Sequence, residues 1–281
     1  AAARQAMPAW SALAPRRRAV LMQRWAELVT LNAETIAREE SLSSSRFIAE
    51  TRAVDTPVAA EWIRYYAEYA DKIDGAVTST DPGALSLVVH EPYGVVVAIV
   101  PWNFPLVLAI WKIAPAIAAG NCVVVKPSEL TPYSITRVAA LATEAGIPPG
   151  VINVVHGYGH SVGRTLVRHP DTAYVTFTGS TATGIQIMTD AAQSGIKPVS
   201  LELGGKSPQL VFCDHGNLDR VADNVAWGIS RNAGQLCYAG TRLVVDRRVE
   251  APLLDKIVER LRRLQPGATW STLGTLAPVI S

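Results

Sequence analysis

A chain of 281 residues that is 49% hydrophobic and 18% charged has enough apolar material to close around a core, which excludes an intrinsically disordered protein. Its formal net charge of +2 is too small to mark a nucleic-acid-binding surface, and its only basic run, Arg16-Arg17-Arg18, reads as a solvated helix face. The longest apolar stretch, Val95 to Val100 continuing into Leu106 to Ala119, is broken by Pro101, Asn103, Pro105, Lys112 and Pro115, which excludes a membrane span there.

From Arg16 to Glu40, apolar residues recur at spacings of three and four (Val20, Leu21, Trp25, Leu28, Val29, Ile36), which predicts one long amphipathic helix. A second helix is expected from Pro57 to Ile73. After the turn signal Asp81-Pro82-Gly83, Leu85 to His90 alternates polar and apolar residues like a half-exposed strand, and residues 70–92 read as a projecting arm. Beyond Gly94 the pattern changes to short β-branched runs separated by helical stretches. Strands are predicted at Val95–Val100, Val123–Lys126, Val151–Val155, Tyr174–Phe177 and Pro198–Leu203. Helices are predicted at Leu106–Ala119, Tyr133–Ala145, Ser161–Arg168 and Thr181–Ala192. Such alternation implies βαβ units and a mostly parallel sheet covered by helices on both faces. Residues 1–69 and 93–204 therefore read as one nucleotide-binding domain. A new segment starts near Gly205, with helices at Asn217–Ile229 and Glu250–Leu264 and a strand at Arg242–Asp246. Residues 205–281 read as the beginning of a second α/β domain, too short to cover Val221, Val225, Ile229, Leu253, Ile257 and Leu261. With no initiator Met and no tail-like composition after Pro278, the chain reads as cut at both ends.

In open α/β sheets ligands bind beyond the carboxyl ends of the strands, so the residues there carry the functional reading. The first strand runs into Pro101-Trp102-Asn103-Phe104-Pro105, the second into Lys126-Pro127-Ser128-Glu129 and the third into Gly157-Tyr158-Gly159. The fourth runs into Thr178-Gly179-Ser180, and the fifth into Glu202-Leu203-Gly204-Gly205-Lys206. Gly157, Gly159 and Gly163 miss the usual dinucleotide fingerprint by one residue. Gly179 to Gly184 joins strand to helix with small residues and hydroxyls, where a helix N-terminus can hold a pyrophosphate or where Ser180 simply caps the helix. Lys126 and Glu129 form a charged pair suited to ribose hydroxyls, although Glu129 is also a plausible first-turn helix residue. Glu202 ends an apolar strand, so desolvation is expected to raise its pKa towards that of a general base.

The three cysteines, 122, 213 and 237, have no CxxC or CxxH spacing, which argues against a disulfide framework or a zinc site and fits a reducing cytoplasm. Cys122 and Cys213 border apolar runs and read as inert. Cys237 lies among small and polar residues, Asn232 to Arg242, as a nucleophile does, although a lone cysteine is more often only buried.

Taken in order, Pro101-Trp102-Asn103-Phe104-Pro105, Lys126-Pro127-Ser128-Glu129, Phe177-Thr178-Gly179-Ser180, Leu201-Glu202-Leu203-Gly204-Gly205-Lys206 and Gly234-Gln235-Leu236-Cys237 closely resemble the NAD(P)-dependent aldehyde dehydrogenase superfamily. The resemblance implies a Rossmann-like fold and oxidation of an aldehyde to a carboxylate, with NAD preferred, NADP possible and no metal. It makes Cys237 the nucleophile, Glu202 the general base and Asn103 the side-chain donor of an oxyanion hole. For the nucleotide it implies Pro101, Trp102, Asn103, Lys126, Ser128, Glu129, Gly159, Gly163, Gly179, Ser180, Gly184 and Leu203. Trp111 would line the substrate channel. It further implies a homodimer or homotetramer for the complete protein. The family's usual Glu-Thr-Gly-Lys is replaced here by Ser41 to Arg46, a region expected to lie away from the chemistry. The alternative is a non-catalytic nucleotide-binding or structural protein on the same fold.

Overall fold

Five strands hydrogen-bond side by side as a wholly parallel sheet in the order β5-β4-β3-β6-β7: β3 (Val95–Ile99), β4 (Cys122–Lys126), β5 (Ile152–Val154), β6 (Thr172–Gly179) and β7 (Val199–Leu203). The computed structural model describes residues 1–271 and 274–281. Strand alternation assigns the two faces. Val96, Ala98 and Val100 join the larger core, while Val97 and Ile99 join a second core with Val175, Phe177 and Ile187. The larger core is built by α1 (Ala2–Ala12), α2 (Pro15–Leu31), α5 (Thr56–Tyr69), α6 (Pro105–Ala118) and α7 (Tyr133–Glu144). The smaller is covered by α8 (Arg164–Arg168) and α9 (Thr181–Gln193). Burial on both faces explains why these strands read as continuous apolar runs. The chain winds outward from β3 to β5, then returns to β6 beside β3. The strand order therefore reverses between β3 and β6, where α/β sheets open a crevice.

The predicted long N-terminal helix is two helices, α2 and α3 (Ala33–Ser44), broken at Asn32. The Asn32 side-chain amide donates to the Leu28 carbonyl at 2.8 Å, the acceptor that its own backbone N–H also uses, and this local bonding ends the first helix. Arg18 is not on a solvated face. It is 6% exposed, and its guanidinium donates to the Ala118 carbonyl at 3.1 Å and to the Leu13 carbonyl, closing off the end of α6. Helix α1 was not foreseen, because its alanine-rich sequence buries only Ala3 and Trp10. A one-turn helix α4 (Ile48–Glu50) and a wide turn, Thr51–Asp55, lead into α5. The predicted helix at 161–168 is a wide turn, Gly159–Gly163, followed by α8.

The arm is a hairpin of β1 (Ala76–Thr78) and β2 (Ser86–Val88), the latter inside the predicted 85–90 run; it leaves Val77, Leu85, Leu87 and Val89 exposed. After Gly205, β8 (Pro208–Val211) pairs in parallel with β9 (Arg242–Val245), beside α10 (Leu218–Ser230) and α11 (Glu250–Arg262). The expected lack of cover for this segment is corrected in part. Val225, Leu253 and Ile257 are buried with Val211 and Ala222, because α10 and α11 pack on each other and on this small sheet.

Candidate active site

Register aligns the carboxyl ends of the strands. Ile99 pairs with Lys126 on one side and Phe177 on the other, while Thr178 pairs with Glu202 and Gly179 with Leu203. The loops after β3, β4, β6 and β7 therefore emerge together at the topological switch point.

On one side the end of β3, the Gly159–Gly163 turn, α8 and α9 frame a cleft of about 460 Å³, with Ile99, Val167 and Ile187 as its apolar wall and Arg164, Thr183, Gln186 and Asp190 as its polar one. Ser180 caps α9 by accepting from the Thr183 N–H at 3.2 Å, which leaves the positive end of a thirteen-residue helix at the cleft. Gly184 permits this placement, since a Cβ there would stand 2.9 Å from Leu203 Cδ2. Lys126 is 2% exposed, with its stem against Gly163 and its ammonium donating to the Pro127 carbonyl at 2.8 Å. Burial lowers its pKa, opposed by Glu129, whose carboxylate lies 3.5 Å away and is itself largely in solvent. Glu129 sits in a turn before α7, which removes the first-turn helix reading. Ser128 accepts from the Leu130 N–H at 3.3 Å and so holds that turn. Pro101 and Trp102 are half-buried at the end of β3. A pyrophosphate at α9, a ribose at Lys126 and Glu129 and an apolar wall for a base all fit these groups.

On the other side lies the Cys237 loop. Asn232, Ala233 and Gly234 have φ of 49°, 54° and 76°, three consecutive left-handed residues of which only the last is glycine. Each non-glycine in that region costs roughly 1–2 kcal/mol. The loop is held in this shape by its neighbours. Asn103 Nδ2 donates to the Gln235 carbonyl at 2.9 Å, and Asn232 Nδ2 donates to the Asn103 carbonyl at 3.3 Å. The Gly205 N–H donates to the Cys237 carbonyl at 3.0 Å, joining the end of β7 to the same loop. Gln209 braces the far side with an amide donating to the Val225 and Gly240 carbonyls; a Cβ at Gly240 would lie 2.4 Å from that amide nitrogen. An asparagine amide has two hydrogens, and only one of them is used on Gln235, so the second is available to a ligand. Cys237 is exposed. Burial instead pushes the Cys122 thiol up to about 11, matching its inert reading, while Cys213 is half-buried.

Two expectations change. Glu202 is exposed rather than desolvated at the end of its strand. The Ser41–Arg46 region is not away from the site. Arg46 is fully buried with its guanidinium 4.0 Å from the centre of the Phe104 ring, next to Asn103. Sequence reading also missed Lys112. Its ammonium donates to Thr176 Oγ1 at 3.1 Å; burial holds it down at about 8, and Glu202 is the charge that opposes this. A lysine within the most apolar helix of the chain was the available signal. Trp111 is half-exposed and meets Trp62 edge-on at 5.6 Å.

Comparison with known proteins agrees with this geometry. The chain is 45% identical over 270 residues to the NADP/NAD-dependent aldehyde dehydrogenase PuuC of Escherichia coli (strain K12), covering 95% of this chain and 54% of that protein. The structure of PnpE in complex with nicotinamide adenine dinucleotide superposes with a TM-score of 0.96 at 42% identity, covering 100% of this chain and 57% of that one. The aldehyde dehydrogenase KauB from Pseudomonas aeruginosa gives a TM-score of 0.96 at 43% identity over 100% of this chain and 57% of that one. The chain thus spans about half the length of the relatives it matches. Since the model of the aldehyde dehydrogenase family matches residues 1–281, this chain belongs to that family.

Proposed function

We propose that the protein oxidises an aldehyde to a carboxylate, with Cys237 as nucleophile, Asn103 as oxyanion donor and Glu202 as the base that releases the product. The carrying observation is that the loops bearing these residues are bonded to one another: Asn103 to Gln235, two residues before Cys237, and Gly205, three residues after Glu202, to Cys237 itself. The thiolate adds to the carbonyl carbon, and the alkoxide that forms is met by the free hydrogen of Asn103 and a backbone N–H of the Cys237 loop, each such donor worth about 3 kcal/mol. Collapse of this adduct, with loss of hydride from carbon, leaves a thioester on Cys237. Glu202 then takes a proton from water as the oxygen attacks the acyl carbon, which frees the carboxylate and restores the thiol.

NAD, the nucleotide bound in the PnpE structure, supplies the hydride acceptor. Lys126 and Glu129 would hold its adenosine ribose, Gly179, Ser180 and Gly184 its pyrophosphate, and Gly159 and Gly163 the adjoining wall. Pro101, Trp102 and Leu203 would flank the nicotinamide end. Trp111 borders the aldehyde path. We further assign residues 1–69 and 93–204 to nucleotide binding, 205–281 to the catalytic domain and 70–92 to an arm that assembles a homodimer or homotetramer, on the strength of its exposed apolar residues. The three free cysteines support a reducing, cytoplasmic setting. Among the described residues no helix is long and apolar enough to cross a membrane.

The test is steady-state NADH formation by the full-length protein. Cys237→Ser should abolish it, whereas Cys122→Ser and Cys213→Ser retain it; equal loss in all three refutes the assignment.

A further inference from the structure

Helix α3 ends at Ser45, a serine held at φ 64°, and the reversal turns Arg46 inward. The Arg46 side chain has no exposure, and it is bound by a two-pronged ion pair to Asp55, which is 1% exposed, and more distantly, at 3.4 Å, to Glu50. Ser41 Oγ donates to the Arg46 carbonyl at 2.7 Å and fixes its backbone as well. Such investment is more than a surface turn needs. What the guanidinium presents to the rest of the molecule is its flat face, 4.0 Å from the Phe104 ring centre, while its Nη1 is buried without a hydrogen-bond partner. A cation stacked on a ring in this way is attracted by the ring's negative face, most strongly when both are removed from water.

Phe104 is the residue after Asn103. A second guanidinium lies near it: Arg231, the first residue of the turn leading to Cys237, is 6.0 Å from the same ring and 5.2 Å from the Trp227 ring. Two residues further on, the Leu106 N–H at the start of α6 donates to the buried Glu40 carboxylate at 3.0 Å, and Glu40 also takes the Ser134 hydroxyl. The Asn103–Leu106 turn is thus gripped at its ring by Arg46, at its helix end by Glu40 and at Asn103 itself by Asn232 and Gln235. A turn whose residue 104 is fixed in this way has little freedom to rotate the side chain of residue 103.

We propose that Arg46 is a positioning residue for the reaction: by clamping Phe104 it aims the second amide hydrogen of Asn103 at the oxygen of the aldehyde bound to Cys237. This rests on the reading of Asn103 as oxyanion donor given above. Arg46 has no exposed surface with which to meet nucleotide or aldehyde. Its loss changes the direction of a donor rather than the presence of one, so the effect is smaller than that of removing Asn103.

The experiment is a double-mutant cycle in the full-length protein. Arg46→Met is combined with Asp55→Asn, so that the Asp55 carboxylate is not left buried and unpaired, and Arg46→Lys serves as the conservative variant. The aldehyde kcat/KM should fall about 10-fold in Arg46→Met/Asp55→Asn and by at least 100-fold in Asn103→Ala. In the Asn103→Ala background the Arg46 change should add less than about 2-fold, since both act on one donor. Arg46→Lys should recover most of the lost activity. Alkylation of Cys237 by iodoacetamide, which forms no oxyanion, and the Kd for NAD should stay within about 2-fold of wild type in the Arg46→Met/Asp55→Asn and Arg46→Lys proteins. Equal effects of the Arg46 change with and without Asn103, or parallel losses of alkylation and NAD binding, overturn the proposal while leaving the site intact. An Asn103→Ala protein with unimpaired kcat/KM overturns the site reading, and this proposal with it.

Discussion

Glu40 offers a stability test whose size follows from its surroundings. Its carboxyl has no exposure, and desolvation first, then the nearby Asp55, push its pKa from the ordinary 4.5 up to about 7, against the opposing hydrogen bonds from Ser134 and Leu106. The folded state therefore holds this proton more tightly than the unfolded chain. Between about pH 4.5 and 7 the folded protein binds the extra proton, so its stability declines as pH rises through that window and is level above it. At roughly 1.4 kcal/mol per pH unit the full cost of ionising Glu40 is about 3 kcal/mol, most of it acquired between pH 5 and pH 8. Glu40→Gln removes this cost while keeping an oxygen for the Leu106 N–H and an amide for the Ser134 hydroxyl to accept from. Relative to wild type, the variant should gain about 2 kcal/mol more at pH 8 than at pH 5, read as a difference in Tm shift of roughly 4–6 °C. Parallel Tm curves, offset by the same amount at every pH, would refute the argument from burial.

Two further outcomes follow from the charged groups of the site. Lys112 is held at about 8 by burial and faces Glu202, so Lys112→Met should remove a transition near pH 8 from the kcat profile; its persistence would mean that another group titrates there. If Glu129 binds the adenosine ribose as proposed, its charge would repel a 2′-phosphate, so Glu129→Gln should improve the NADP-to-NAD ratio of kcat/KM by about 10-fold, and an unchanged ratio would place the ribose elsewhere.

The parallel sheet was legible because burial on both faces leaves strands such as Val95–Ile99 and Cys122–Lys126 almost wholly apolar. The candidate site residues stood out for the same reason: Asn103, Glu129, Ser180 and Glu202 interrupt an apolar pattern at or just beyond a strand end. What was not legible depends on contacts distant in sequence. Arg18 looks like part of a solvated run until Ala118, a hundred residues on, accepts its hydrogen bond. Arg46 acquires its role from Phe104, and Lys112 from Thr176 and Glu202. The break at Asn32 was local, but a single asparagine within a continuing apolar period carries too weak a signal against the pattern around it. Strand β8 was missed because it begins at a proline and spans four residues, alternating exposed and covered.

The central claim is that Cys237 becomes acylated and Glu202 releases the acyl group. In full-length Glu202→Gln protein mixed with NAD and aldehyde, mass spectrometry of the rapidly quenched enzyme should find the acyl mass on the Cys237 peptide. A burst of about one NADH per site should accompany it, followed by slow turnover. Absence of both the adduct and the burst would mean that Glu202 serves chiefly to activate the thiol, and an acyl mass on any other residue would contradict the assignment of Cys237.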